Sequence, residues 1–129
     1  MLMTSDYTKN LLFGYLACKR LLPNYIFFSK KFTFGAPEIL EKYLHQVRAL
    51  ILDPDTKFDF GSFDSITAKI SPLSHNYDTV LASSAMDACS SVFELLSYII
   101  DKNNKRIRDI ATFATDTVDI NPLLQMFFF

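Results

Sequence analysis

Apolar residues recur at helical spacing along most of the chain, and no period-2 alternation extends beyond a few residues, so the pattern predicts helices and no sheet. From about Ser5 to Lys31, Leu11, Leu12, Tyr15, Leu16, Cys18, Leu22 and Ile26 place apolar groups almost all the way round the helix. Such a helix belongs at the centre of a bundle, because a surface helix keeps one polar side. Ser5 or Asp6 can cap its first turn. Pro23 lacks an N–H and crowds the preceding turn, so the helix is expected to end or kink near Leu22 and resume as a second helix that stops at Gly35.

Pro37 suits a first helical position, and from there Ile39, Leu40, Tyr43, Leu44, Val47, Leu50 and Ile51 form the cleanest amphipathic stripe in the chain. Asp53-Pro54-Asp55 terminates it. The stretch from Asp55 to Asn76 is the least regular and carries one short helix at best, around Ser62 to Ile70. A further helix is expected from Asp78 or Thr79 to Asp101, burying Ala85, Ala88, Cys89, Val92, Leu96 and Ile99 and exposing Ser83, Asp87, Ser90 and Glu94. Lys102-Asn103-Asn104-Lys105 is short enough to force an antiparallel hairpin into a last helix, with Ile107, Ile110, Ala111, Ala114 and Val118 inward and Thr112, Asp116 and Asp119 outward. Asn121-Pro122 breaks it. The expectation is an all-α, single-domain bundle of five to six helices with antiparallel helix hairpins over residues 1–129.

Composition agrees with one compact domain: 129 residues, 50% hydrophobic and 21% charged, with three Gly and five Pro. Thirteen Phe and six Tyr without a Trp make the chain rich in rings, and the crowding of Tyr25, Phe27, Phe28, Phe32 and Phe34 exceeds what one helix face buries. A formal net charge of −1 gives no general case for binding nucleic acid or an anionic membrane. Cys18 and Cys89 stand apart inside apolar patterns and read as reduced core residues. The stretch Leu11 to Cys18, LLFGYLAC, ends like a lipoprotein cleavage box, but its apolar run is short, Asp6 precedes it and Lys19-Arg20 continue the helix, so a cytoplasmic location is expected.

The sequence holds no HExxH, P-loop, GxGxxG, GxSxG or DxDxDG pattern. His45 falls on a polar helix side beside Glu41, and His75 lies in an irregular stretch; both read as solvated. Asp116 and Asp119, at i and i+3, could offer oxygens to a hard cation only if Asp87 converged on them, and a hydrated acidic face is the better reading. Four positive charges in Lys102 to Arg108 could meet phosphate, yet they sit at a hairpin and read as a solvated turn. No cofactor, metal or catalytic residue is expected.

Cys18-Lys19-Arg20-Leu21-Leu22-Pro23-Asn24-Tyr25, then Phe34-Gly35 and Pro37-Glu38, then Met86-Asp87-Ala88-Cys89 and Ala114-Thr115-Asp116-Thr117-Val118-Asp119, resemble in order the YjaG-like family of small bacterial proteins of unknown function. The resemblance implies an all-helical fold and brings no catalytic mechanism. It also implies two departures: Ala36 replaces an acidic residue that commonly caps the helix after Gly35, weakening that helix start by about 1 kcal/mol, and the family usually continues beyond the last block, so this chain reads as a shortened member. A charged Arg20 in an apolar helix calls for a carboxylate partner, Asp87 or Asp116, within a structural polar network of Arg20, Asn24 and Tyr25.

The function expected is that of a non-enzymatic protein-interaction module, specifically an immunity or antitoxin-type protein that masks a cognate toxin, meeting it through Asp87, Glu94, Asp116 and Asp119. A signalling or regulatory accessory that binds a kinase or small ligand is the alternative, and a carboxylate metal-dependent enzyme comes third. Leu123, Leu124, Met126 and Phe127 to Phe129 are expected to fold back onto the bundle or to enter an interface.

Overall fold

The computed structural model describes residues 6–33, 35–61 and 80–116. Over these residues the chain is all-α: α1 spans Asp6–Phe32, α2 Pro37–Leu52, α3 Val80–Asp101 and α4 Asn104–Asp116. The short helix expected around Ser62 to Ile70 and the segment Leu123 to Phe129 lie outside the described residues.

α1 runs unbroken through Pro23 for 27 residues, so the two tandem helices expected there are one, and with the stretch around Ser62 to Ile70 outside the described residues four helices are described. Proline inside a helix costs about 3 kcal/mol, since the carbonyl four residues back, here that of Lys19, loses its donor. Leu22, Tyr25 and Phe28 are buried around and beyond the proline, and each contributes roughly 1.5–3 kcal/mol when fully buried. Burial outweighs the defect.

α1 is central, as its all-round apolar pattern predicts. It packs along α3 and takes α2 and α4 on its two sides, while α2 meets α3 only lightly. The α1–α3 approach is set by small residues: Ala82, Ala85, Ala88 and Cys89 are buried on α3, and a Cβ on Gly14 would stand 2.6 Å from Leu95 Cδ1. Leu95 and Tyr98 join the expected buried face of α3, and Ser84 and Ser91 are buried too.

The α1–α2 turn is made by left-handed residues, Thr33 at φ 49° and Gly35 at φ 76°. A Cβ on Gly35 would fall on the Tyr25 hydroxyl. Ala36 precedes α2 without a side-chain cap, and Pro37 opens the helix as expected. The α2 stripe is buried at Leu40, Tyr43, Leu44, Val47 and Leu50. Asp53 ends the helix, its Oδ1 accepting from Asp55 N at 3.1 Å. The chain then returns along one flank of α2: Gln46 exchanges two hydrogen bonds with the Asp59 backbone, 2.7 and 3.1 Å, and Tyr43 donates to Phe60 O at 2.6 Å.

Candidate functional site

The α3–α4 hairpin is the expected antiparallel link, and it is electrostatically closed. Lys102 takes φ 54°; Asp101 Oδ1 accepts from Asn103 N at 2.9 Å and Asn103 Oδ1 from Lys105 N at 3.0 Å, which caps α4. Arg106 reaches Glu94 Oε1 and Asp101 Oδ2, both at 3.2 Å. The Asn103 amide, with Arg106, holds the Asp101 carboxyl below its usual range, and Asp101 in turn raises the Arg106 guanidinium. Burial, then the neighbouring Asp109 carboxyl, pushes Glu94 upward against the pull of Arg106. Glu94 Oε2 has no donor among the described residues. Tyr7 stacks on Tyr98 at 5.6 Å, Lys102 Nζ lies 5.1 Å from the Tyr7 ring centroid, and Asn10 donates to Tyr98 OH at 3.1 Å. Two of the four cations of Lys102 to Arg108 are thus held within the bundle end.

Of the acidic residues expected to face a partner, Glu94 is turned onto Arg106 within the chain, and Asp87 is half-buried. Asp116 is the last residue of α4, and Asp119 lies outside the described residues. Among the described residues no three His, Cys, Asp or Glu side chains come together as metal ligands.

Arg20 corrects the expected pairing. Its side chain is exposed, and Nη1 donates to the Ala114 carbonyl at 2.9 Å. This carbonyl belongs to the last described turn of α4, toward the end where the helix dipole favours a cation. The Arg20 guanidinium therefore ties α1 to α4 through a backbone atom, an acceptor the sequence does not mark. Asn24 and Tyr25 are buried. Tyr25 hydrogen-bonds the backbone of Ala36, and burial, above all, pushes its hydroxyl far above its ordinary value. Arg20 and Tyr25 therefore serve opposite joints, α1 to α4 and α1 to α2, and not one network. Cys18 and Cys89 are free and buried; burial raises both thiols, Cys89 to about 12.

The open surface is elsewhere. Between α1 and α2, on the flank away from residues 57–61, lies a groove of about 460 Å³ lined by Tyr15, Lys19, Leu22, Pro23 and Ile26 of α1 and by Glu41, Leu44, His45 and Arg48 of α2. Tyr15 and Arg48 also line an adjoining cleft of about 250 Å³ whose other walls are Leu12, Leu16, Ile51 and Leu52. Leu12, Leu16 and Leu52 are 46%, 58% and 74% exposed, and Phe13 is exposed beside them. Lys19 and Arg48 make no ion pair with a described residue, so an apolar cleft adjoins a stretch that carries two cations against Glu41. From Asp6 to Leu52 the chain carries seven Lys or Arg against three Asp or Glu, a formal +4, whereas the whole chain is −1. The remainder is therefore −5. This division was present in the sequence and cancelled in the total.

Comparison with known proteins places the architecture. The profile of a family described as "Protein of unknown function (DUF416)" matches residues 3–122. The chain is 30% identical over 79 residues to the uncharacterized protein YjaG of Salmonella typhimurium, and equally to that of Salmonella typhi, a match covering 61% of this chain and 40% of the relative. It is similar to the crystal structure of a DUF416 family protein from Shewanella baltica, with a TM-score of 0.81 and 25% identity, covering 97% of this chain and 63% of that one. The matched part is thus about 40% of the length of the curated relatives.

Proposed function

The chain belongs to the DUF416 family, and from that premise we propose that it is a non-enzymatic protein-interaction module, whose specific form is an immunity or antitoxin-type protein that binds and masks a toxin. The observation that carries the interaction reading is the exposed apolar strip of Leu12, Phe13, Leu16 and Leu52, which with Ile100 are the large hydrophobics exposed among the described residues. A covering protein would remove these side chains from water. The sequence favoured the acidic side chains of α3 and α4 as the binding face. Glu94 is engaged by Arg106, so the α1–α2 flank is the better seat for a partner.

Affinity-tagged full-length chain, expressed in its native host and cross-linked before lysis, tests the reading. A stoichiometric protein partner, together with protection of cells from the toxicity of a neighbouring gene product, supports it. Protection without a partner, or a partner lost on no surface substitution at either face, is incompatible with masking by this chain. A stable partner with no protection keeps the module and removes the toxin from the proposal.

A further inference from the structure

Resting on the interaction-module reading, we propose that the groove between α1 and α2 seats an acidic amphipathic helix of a partner protein. Shape is the first argument. Leu12, Leu16, Lys19 and Pro23 on α1 face Glu41, His45, Arg48 and Leu52 on α2, two helical rows with an open trough between them. From Leu12 to Ile26 the α1 wall spans fifteen residues, fourteen rises of 1.5 Å, or about 21 Å. That length seats a helix of about four turns in the manner of helix-in-groove recognition.

Chemistry is the second. The Leu12, Leu16, Ile51 and Leu52 end accepts apolar residues spaced i, i+3, i+4 and i+7, while Arg48, shared by the two clefts, and Lys19 beyond it meet carboxylates, opposed among the lining residues by Glu41. Residues 6–52 carry a formal +4 within a chain of −1, a bias that favours approach of an acidic partner to the α1–α2 half over the acidic remainder. Concavity separates a helix from a lipid surface: a bilayer can cover Leu12, Phe13 and Leu16 but leaves the groove beneath them unfilled, whereas a helix fills it.

The test uses the full chain in its native host with Leu16→p-benzoylphenylalanine and, separately, Leu52→p-benzoylphenylalanine, and a control probe at Asp87. After irradiation the captured segment is identified by mass spectrometry, synthesised, labelled and titrated against purified chain by fluorescence anisotropy. The expected segment is helical, apolar on one face and rich in Asp and Glu. Its Kd should rise about ten-fold when Lys19→Glu and Arg48→Glu, both exposed and remote from the core, are combined. Capture of a basic or non-helical segment, of a second copy of this chain, or an unchanged Kd in the double variant overturns the proposal. So does co-sedimentation with phosphatidylglycerol vesicles in place of protein capture. Protein capture at Asp87 alone rejects the groove and leaves the module reading standing; no capture at any of the three positions rejects both.

Discussion

At the α3–α4 end of the bundle the charged groups answer one another within the chain: Arg106 bridges Glu94 and Asp101, Asn103 caps α4, and Lys102 lies over Tyr7. On the α1–α2 flank nothing comparable happens. Lys19 and Arg48 stand beside Leu12, Leu16 and Leu52, and the described residues close neither set. The two regions have similar ingredients, helix pairs joined by short turns, but α4 folds back across α1 and α3, whereas α2 packs on α1 and touches α3 only lightly. A helix with one principal neighbour leaves a groove beside it. Binding potential in this fold thus follows from packing coordination rather than from any special residue type.

The largest effects should separate core from groove rim. Leu96 is fully buried, and Leu96→Ala is expected to destabilise by about 2–5 kcal/mol. Leu16→Ala and Leu52→Ala, on the open flank, should stay within roughly 0.5 kcal/mol. Urea denaturation followed by circular dichroism measures both. A loss at Leu16 comparable with that at Leu96 would mean that the flank is covered in the free protein, and the contrast between the two regions would collapse.

The α1–α2 joint comes next. Gly35 combines φ 76° with a Cβ position already taken by the Tyr25 hydroxyl, so Gly35→Ala should cost about 1–3 kcal/mol from backbone strain and crowding together. Tyr25→Phe removes the oxygen in question. If crowding matters, the double variant should lose less than the sum of the single losses, a coupling that a double-mutant cycle reads directly. Strict additivity would leave only the strain at φ and would loosen this joint as the frame of the groove.

Much of this frame was legible. The α2 stripe, the Pro37 start, the Asp53 stop and the hairpin at Lys102 are local signals, and each acts through a few neighbouring residues. The helix through Pro23 is not a local signal, because the proline's penalty is outweighed by the burial of Tyr25 and Phe28 in the tertiary core. Arg20 is hidden for a related reason: its acceptor is the carbonyl of Ala114, 94 residues away, and a backbone acceptor leaves no mark in the side-chain pattern. The groove could have been suspected from charge. Lys and Arg gather in the first two helices, and only the summed total conceals it.

Arg20 also yields the third contrast, between the tied and the open side of α1. Arg20→Ala removes a cation from the last turn of α4 and should cost about 0.3–1 kcal/mol at low salt, diminishing as salt is added. Lys19→Ala, one residue away on the open groove, should cost nothing measurable in the free chain. Equal losses at the two positions would assign the Arg20 effect to general charge on α1 instead of to the carbonyl it meets.

The smallest expected effect concerns pH and lies wholly in the closed region. Glu94 has its proton affinity raised, chiefly by burial and then by Asp109, above the ordinary 4.5. The folded chain therefore holds that proton to a higher pH than the unfolded chain, and between the two values it binds more protons. The Glu94 contribution is fully present below the unfolded value and is lost as pH rises through the folded one. Asp101, lowered from 3.8 by the Asn103 amide and Arg106, works in the opposite sense: its contribution is present above the unfolded value and is lost as pH falls through the folded one. The two windows lie on opposite sides of pH 4, so acid titration separates them. Glu94→Gln keeps the shape and a hydrogen-bonding oxygen while abolishing the titration, and its stability should lack the decline that wild type shows above pH 4.5. Asp101→Asn should instead flatten the fall below pH 3.8. Denaturation midpoints measured from pH 3 to pH 7 decide the matter: if wild type and Glu94→Gln run parallel across the upper window, Arg106 neutralises Glu94 fully, and the hairpin end is closed even at the buried Glu94 Oε2, which lacks a donor among the described residues.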